Sequence, residues 1–95
     1  MENLFKALEC GKRRGYEEIR SHEEIRYFVQ YAIKKEKGLY ATYYFKIDES
    51  KFDIYEDYEV EEILYFGTLK KALCHLTDIG ADIAKLSAIK RTLPF

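Results

Sequence analysis

An alternation of apolar and polar residues runs from Leu39 to Asp48 and predicts a β-strand with one buried face. The positions expected to point inward are Leu39, Ala41, Tyr43, Phe45 and Ile47, and those expected to meet solvent are Tyr40, Thr42, Tyr44, Lys46 and Asp48. If Glu49-Ser50 forms the turn of a hairpin, Tyr44 lies opposite Tyr55 on the returning strand. Glu-Ser is not favoured in a tight turn, so a longer loop with a shifted register also fits. Residues 57–66 fit either a third strand or a bulged continuation of the second.

Segments with the 3.6-residue spacing of an amphipathic helix stand on both sides of this strand. They are residues 2–10, the segment between Ser21 and Gly38, the segment between Thr68 and Gly80, and the segment from Ile79 to Ile89. The second has Ser21 three residues before Glu24, which is the arrangement of a capping box. Together these elements predict an α+β fold in the order α-α-β-β(-β)-α-α. In this fold, helices pack on one face of a small antiparallel sheet of two or three strands.

The length of 95 residues indicates one folded domain spanning residues 1–95. The chain is 47% hydrophobic and 16% aromatic, which is too apolar for a disordered chain even with 35% charged residues. The N-terminal residues lack the basic and apolar stretches of a secretion signal, and no apolar run is long enough to span a bilayer. We therefore expect a soluble, cytoplasmic protein in which Cys10 and Cys74 are reduced thiols.

The cysteines and histidines lack the spacing of a metal or catalytic site. Cys74 and His75 are neighbours in sequence, so on a helix they face different directions and make a poor nucleophile and base. The segment from His22 to Arg26 has arginine where a zinc-protease helix needs its second histidine. We therefore predict no metal, no cofactor and no catalytic residue. An enzyme would instead require a cleft that holds a carboxylate or a thiol with a strongly shifted pKa.

Charge is distributed unevenly along the chain, although the net charge is only −1. Residues 47–66 contain eight acidic residues and one basic residue, whereas the segments on either side are basic overall. Carboxylates interleaved with tyrosines on an exposed sheet face suit the recognition of a basic protein partner. The predicted binding residues are Tyr40, Tyr44, Asp53, Tyr55, Asp57, Glu59 and Glu61. In an alternative interpretation, the same residues only decorate an exposed sheet and stabilise it through cross-strand pairs.

Basic clusters at Lys12-Arg13-Arg14, Lys34-Lys35-Lys37 and Lys90-Arg91 raise a second hypothesis, which is nucleic-acid binding with sheet tyrosines stacked on the bases. The acidic segment argues against this hypothesis, because carboxylates beside the stacking rings would repel phosphates. The isoelectric point near 6.1 also lies well below the value typical of nucleic-acid-binding domains.

The size of the chain, its acidic tyrosine-bearing segment and the passage Phe66-Gly67-Thr68-Leu69-Lys70-Lys71-Ala72-Leu73 resemble features of small immunity proteins. Bacteria make these proteins against their own toxins, as in contact-dependent growth inhibition. The resemblance covers the size, the charge layout and the strand-to-helix passage over residues 51–76. It implies a non-enzymatic antidote that binds and neutralises a cognate toxin domain, often a basic nuclease. Phage-encoded inhibitors, including anti-CRISPR proteins, fit the same physical description, and the oligomeric state stays open.

Overall fold

The structure is a computed structural model that describes residues 3–51 and 60–89, and an antiparallel sheet of five strands dominates this part of the chain. The strands are β1 (Arg14–His22), β2 (Ile25–Glu36), β3 (Leu39–Asp48), β4 (Val60–Phe66) and β5 (Ser87–Ala88). They lie in the spatial order β4-β3-β2-β1-β5. Two α-helices in the described residues accompany the sheet, α1 (Leu4–Glu9) and α2 (Leu69–Asp78). The predicted fold, with four helices beside a two- or three-stranded sheet, is therefore wrong.

A β-hairpin occupies the segment between Ser21 and Gly38, which the sequence spacing predicts to be a helix. β1 and β2 pair antiparallel along the whole of β1, and the turn residues Glu23 and Glu24 have φ of 49° and 69°. Positive φ at both central residues is typical of a type I′ turn, whose twist matches the twist of the flanking strands. Ser21 and Glu24, whose spacing resembles a capping box, therefore lie near the end of β1 and in the turn that follows it.

β2 is a central strand with buried residues on both faces, and this burial explains why the sequence spacing wrongly predicts a helix here. The buried residues of β2 are Tyr27, Val29, Gln30, Tyr31, Ala32 and Ile33. A strand covered on both sides lacks the simple alternation of a half-buried strand, so its apolar residues also fall at helical spacing. β3 is covered in the same way. Its predicted bounds are confirmed, but Tyr40 and Thr42 are buried as well as the neighbouring Ala41 and Tyr43.

The described residues Val60–Phe66 form the strand β4, within the segment 57–66 that was predicted as either a third strand or a bulged continuation of the second. β4 pairs antiparallel with β3 and sets Tyr44 opposite Glu62 and Lys46 opposite Val60. The edge of β3 that was expected to pair with Tyr55 is therefore taken by β4. A 3-10 turn over Glu49–Lys51 follows β3, and the rest of the predicted returning strand lies outside the described residues.

The larger core lies between the two α-helices and one face of the sheet, which we call the helical face. The sheet residues of this core are Tyr16, Tyr27, Val29, Tyr31, Ile33, Tyr40, Tyr44 and Phe66. Leu8 of α1 and both Ala72 and Leu76 of α2 are fully buried against them. α2 begins where the sequence predicts, because the Thr68 hydroxyl accepts a hydrogen bond from the Lys71 amide at 3.2 Å.

The chain after α2 forms extended structure and short turns instead of the helix predicted over Ile79–Ile89. A 3-10 turn covers Ile83–Lys85, and β5 then pairs with the first two residues of β1. The opposite face of the sheet carries a second apolar cluster, to which Ile89 contributes. No helix in the described ranges is both long enough and apolar enough to cross a membrane.

Candidate functional site

The predicted binding residues are only partly within the described structure. Those that it describes are Tyr40, Tyr44 and Glu61, and those outside it are Asp53, Tyr55, Asp57 and Glu59. The prediction placed the two tyrosines on a solvent-facing sheet surface. The helices pack on that very face, so the expected exposure of the tyrosines is wrong.

Tyr40 links the sheet to α1. Its side chain is buried, and its hydroxyl donates a hydrogen bond to Glu9 Oε1 at 3.1 Å. The same carboxylate accepts hydrogen bonds from Lys35 Nζ at 2.7 and 2.8 Å. The Lys35 hydrogen bond is the main reason that the pKa of Glu9 lies below its usual value, with a further contribution from Tyr40. This cluster anchors α1 to the sheet.

Tyr44 belongs to a row of tyrosines across the helical face. Its ring is stacked on Tyr31 with centroids 5.4 Å apart, and Tyr31 in turn contacts Tyr16 at 5.3 Å. The three residues are direct cross-strand partners, so the antiparallel register of β1, β2 and β3 creates the row. Burial raises the pKa of Tyr31 to about 12. All three residues can be read in the sequence, but only the pairing of β1 with β2 and of β2 with β3 places their rings side by side.

Glu61 lies on β4 and points to the face opposite the helices. It is exposed, and its carboxylate accepts a hydrogen bond from the Tyr43 hydroxyl at 3.0 Å. Glu62, its neighbour in sequence, points to the helical face and lies 3.2 Å from His75 Nε2. The two carboxylates therefore lie on opposite faces of the sheet, both near the start of β4.

One end of the sheet is acidic. The β1–β2 turn, the end of β3 and the start of β4 all lie there, because Asp48 pairs with Tyr27 and Val60 pairs with Lys46. We call this region the acidic end, and its described carboxylates are Glu23, Glu24, Asp48, Glu49, Glu61 and Glu62. The chain between Lys51 and Val60 adds Asp53, Glu56, Asp57 and Glu59 to the sequence that joins β3 to β4.

Cations gather at the opposite end of the sheet, which we call the basic end. There β1 begins, β2 ends, and α2 begins directly after the last residue pair between β3 and β4, Tyr40–Phe66. The cations of the basic end are Lys12, Arg13, Arg14, Lys34, Lys35, Lys37, Lys70 and Lys71. The sequence separates these clusters widely, and the antiparallel topology brings them to one end.

A recess of about 380 Å³ lies on the helical face towards the acidic end. Its lining residues are Arg20, Ser21, His22, Tyr27, Val29, Tyr31, Tyr44, Lys46 and Ile79. Lys46 Nζ lies 4.3 Å from the centre of the Tyr27 ring, and the Arg20 guanidinium donates hydrogen bonds to Glu18 and to the Gly80 carbonyl. The lining of the recess is therefore aromatic and cationic. The described lining contains no thiol or carboxylate.

The described part of the chain brings together no set of side chains suited to metal binding or to thiol catalysis. No group of three histidine, cysteine or acidic side chains there could hold a metal ion. Cys10 and Cys74 are both exposed free thiols. The most informative feature is therefore the separation of charge between the two ends of the sheet.

No model of a known protein family matches the sequence, and neither curated proteins nor solved structures give a significant match. Functional inference consequently rests on the geometry of this chain.

Proposed function

We propose that the protein is a non-enzymatic immunity or inhibitor protein whose acidic end binds a basic protein partner, such as the nuclease domain of a toxin. The observation that carries the proposal is an excess of carboxylates at one end of the sheet and of cations at the other. The excess remains after the ion pairs at each end are counted, Arg26–Glu49 at the acidic end and Lys34–Glu36 and Lys35–Glu9 at the basic end. Proteins that recognise a basic cleft need such a concentrated negative surface, because it attracts the partner and orients it during encounter.

The two ends are far enough apart to act separately. The ten residues of β3 span about 33 Å at about 3.3 Å per residue, whereas charges are screened over about 8 Å at physiological salt. A basic partner that approaches the acidic end therefore feels little of the cations at the basic end. The net charge of −1 does not reveal this separation, because the charges of the two ends nearly cancel in the sum.

A matched pair of charge reversals tests the proposal once a tagged copy has captured its partner from the native host. Glu24→Lys changes the acidic end and Glu36→Lys makes the same charge change at the basic end. Because long-range attraction governs encounter, we expect Glu24→Lys to slow association roughly threefold at low salt, and Glu36→Lys to leave it nearly unchanged. Biosensor kinetics at two salt concentrations measure both rates. Equal effects of the two variants would refute the assignment to the acidic end.

Nucleic-acid binding at the basic end is the second candidate, and the gathering of three basic clusters at that end favours it. In the same capture experiment, this function predicts that nucleic acid is recovered and that nuclease treatment abolishes the recovery. Lys34→Glu would then weaken binding and flatten its salt dependence, because the slope follows the number of phosphate contacts. Glu24→Lys would leave it unchanged or strengthen it.

A further inference from the structure

β4 forms one margin of the sheet, because it comes first in the spatial order β4-β3-β2-β1-β5. It has seven residues, contains no proline and pairs with β3 without a bulge. Among the described segments, only β3 forms backbone hydrogen bonds with it. Proteins usually protect such an edge, because its outward amides and carbonyls invite another strand.

The β2–β3 turn determines which backbone groups of β4 point outward. Both of its central residues have positive φ, 51° and 80°, as in a type I′ turn, so Glu36 and Leu39 form a hydrogen-bonded pair. Hydrogen-bonded and non-bonded pairs alternate along an antiparallel ladder, so the even-numbered residues of β3 direct their amides and carbonyls towards β4. They pair with even-numbered residues of β4. The amides and carbonyls of Glu61, Ile63 and Tyr65 therefore point outward.

The middle of this strand exposes large apolar side chains on both faces of the sheet. Leu64 is 36% exposed on the helical face, and Tyr65 is 55% exposed on the opposite face beside the partly buried Ile63. A groove of about 600 Å³ opens on the β4 side of α2, with Phe66 and His75 in its lining, so the helix does not cover this edge. An exposed apolar edge strand is a template for pairing with another chain.

The sequence of this edge is complementary to itself about Leu64. If a second β4 pairs antiparallel about a two-fold axis at this residue, the two Leu64 side chains face each other as a non-hydrogen-bonded pair. Ile63 of each copy then lies opposite Tyr65 of the other, and these residues exchange backbone hydrogen bonds on both sides of the axis. Aromatic and β-branched residues pair favourably across strands. An axis at Glu62 would instead set two carboxylates against each other.

The same register brings opposite charges together. β4 starts at the acidic end with Glu61 and Glu62, and it leads at the basic end into α2, whose first turn holds Lys70-Lys71. Antiparallel pairing about Leu64 sets the two carboxylates of each copy opposite Gly67 and Phe66 of the other, directly before its α2. Cations and a helix N-terminus both attract carboxylates. Neither lysine makes an ion pair with another described residue.

We propose that a second copy of this chain binds the β4 edge, forming a two-fold symmetric dimer with a continuous sheet centred on Leu64. The contact is short, so its buried area falls at the lower end for specific interfaces, and we expect a dissociation constant on the order of 10–100 μM. The β1–β2 turn with Glu23 and Glu24 is separated from the contact by β3 and stays exposed. The dimer is thus independent of the proposed function.

Sedimentation equilibrium between about 5 μM and about 1 mM tests the dimer directly, a range that brackets the expected constant. Wild type should pass from monomer to dimer over this range. Leu64→Lys places two like charges at the axis and should weaken association at least tenfold. The control is Ile25→Lys, which changes a residue of β2 that is 40% exposed and lies away from this edge, and it should behave like wild type. A wild-type monomer at about 1 mM, or equal weakening by the two variants, would overturn the proposal.

Single cysteines then test the register, in a background with Cys10→Ser and Cys74→Ser that removes both native thiols. Leu64→Cys sets two thiols at a non-hydrogen-bonded pair, whose Cα atoms lie about 4.5 Å apart, within the range of a disulfide. Oxidised glutathione should convert this variant to a covalent dimer, as two thiols form one disulfide and the glutathione is reduced. Ile63→Cys and Tyr65→Cys should crosslink at least tenfold more slowly, because each thiol is displaced from its own copy by about 7 Å along the strand. Far-UV circular dichroism verifies that each variant is folded. If a folded control crosslinks as fast as Leu64→Cys, the Leu64-centred register is wrong.

Discussion

Gly15 lies at the closest approach of two backbones, and we predict that Gly15→Ala destabilises the fold by about 2–3 kcal/mol, as overpacking does in a close-packed structure. A Cβ atom at this position would lie 2.3 Å from the Tyr31 carbonyl oxygen and 3.0 Å from Ala32 Cα. Both contacts are with backbone or backbone-attached atoms of β2, so rotation of a side chain cannot relieve them. The strands must separate, which strains the β1–β2 ladder. The loss of unfolded-state entropy on adding a methyl group offsets only about 0.4–1 kcal/mol.

Urea unfolding followed by circular dichroism at 25 °C measures this cost. A chain of 95 residues has a total stability of about 5–14 kcal/mol, so the variant should remain folded but melt about 10–20 °C lower. Gly67→Ala is the matched control, because nothing lies within 4 Å of its added Cβ, and it should change stability by less than about 1 kcal/mol. If Gly15→Ala costs less than about 1 kcal/mol relative to this control, the close approach of β1 and β2 is wrong.

Three further predictions concern single side chains. The pKa of Tyr31 is raised to about 12 in the folded chain and is about 10 when unfolded, so its contribution to stability is present below pH 10 and lost as the pH rises towards 12. Tyr31→Phe should flatten this alkaline loss in urea titrations, and an unchanged profile would contradict the burial of the ring. Thr68→Ala should cost about 1 kcal/mol in urea unfolding by removing the cap of α2, whereas Thr68→Ser should retain most of the stability. Lys35→Met should raise the pKa of Glu9 towards its usual value in an NMR titration, whereas Lys34→Met should not.

The elements predicted correctly from the sequence are those whose signals are local. α2 has the Thr68 cap and a buried stripe of Ala72 and Leu76, and the structure keeps both. The strand Leu39–Asp48 has a strict alternation, although the second face of that strand is buried as well. These signals depend on a few neighbouring residues and on no distant contact.

The elements predicted wrongly depend on contacts between distant segments. β2 resembles a helix in its spacing, and only its pairing with β1 and β3 makes it a strand covered on both faces. Its content of tyrosine, phenylalanine, valine and isoleucine was a sequence signal for a strand. The turn was also hidden, because Glu-Glu is not among the pairs that favour a type I′ turn.

The candidate site was predictable in its charge but not in its shape. The sequence shows the carboxylates of residues 47–66, and the structure keeps the described ones together because antiparallel strands return to the same end. Tyr40 and Tyr44 were assigned to the binding surface on the assumption that helices cover only the other face. Once the helices pack on their face, Tyr40 is buried and holds α1 through Glu9, while Tyr44 still lines the recess.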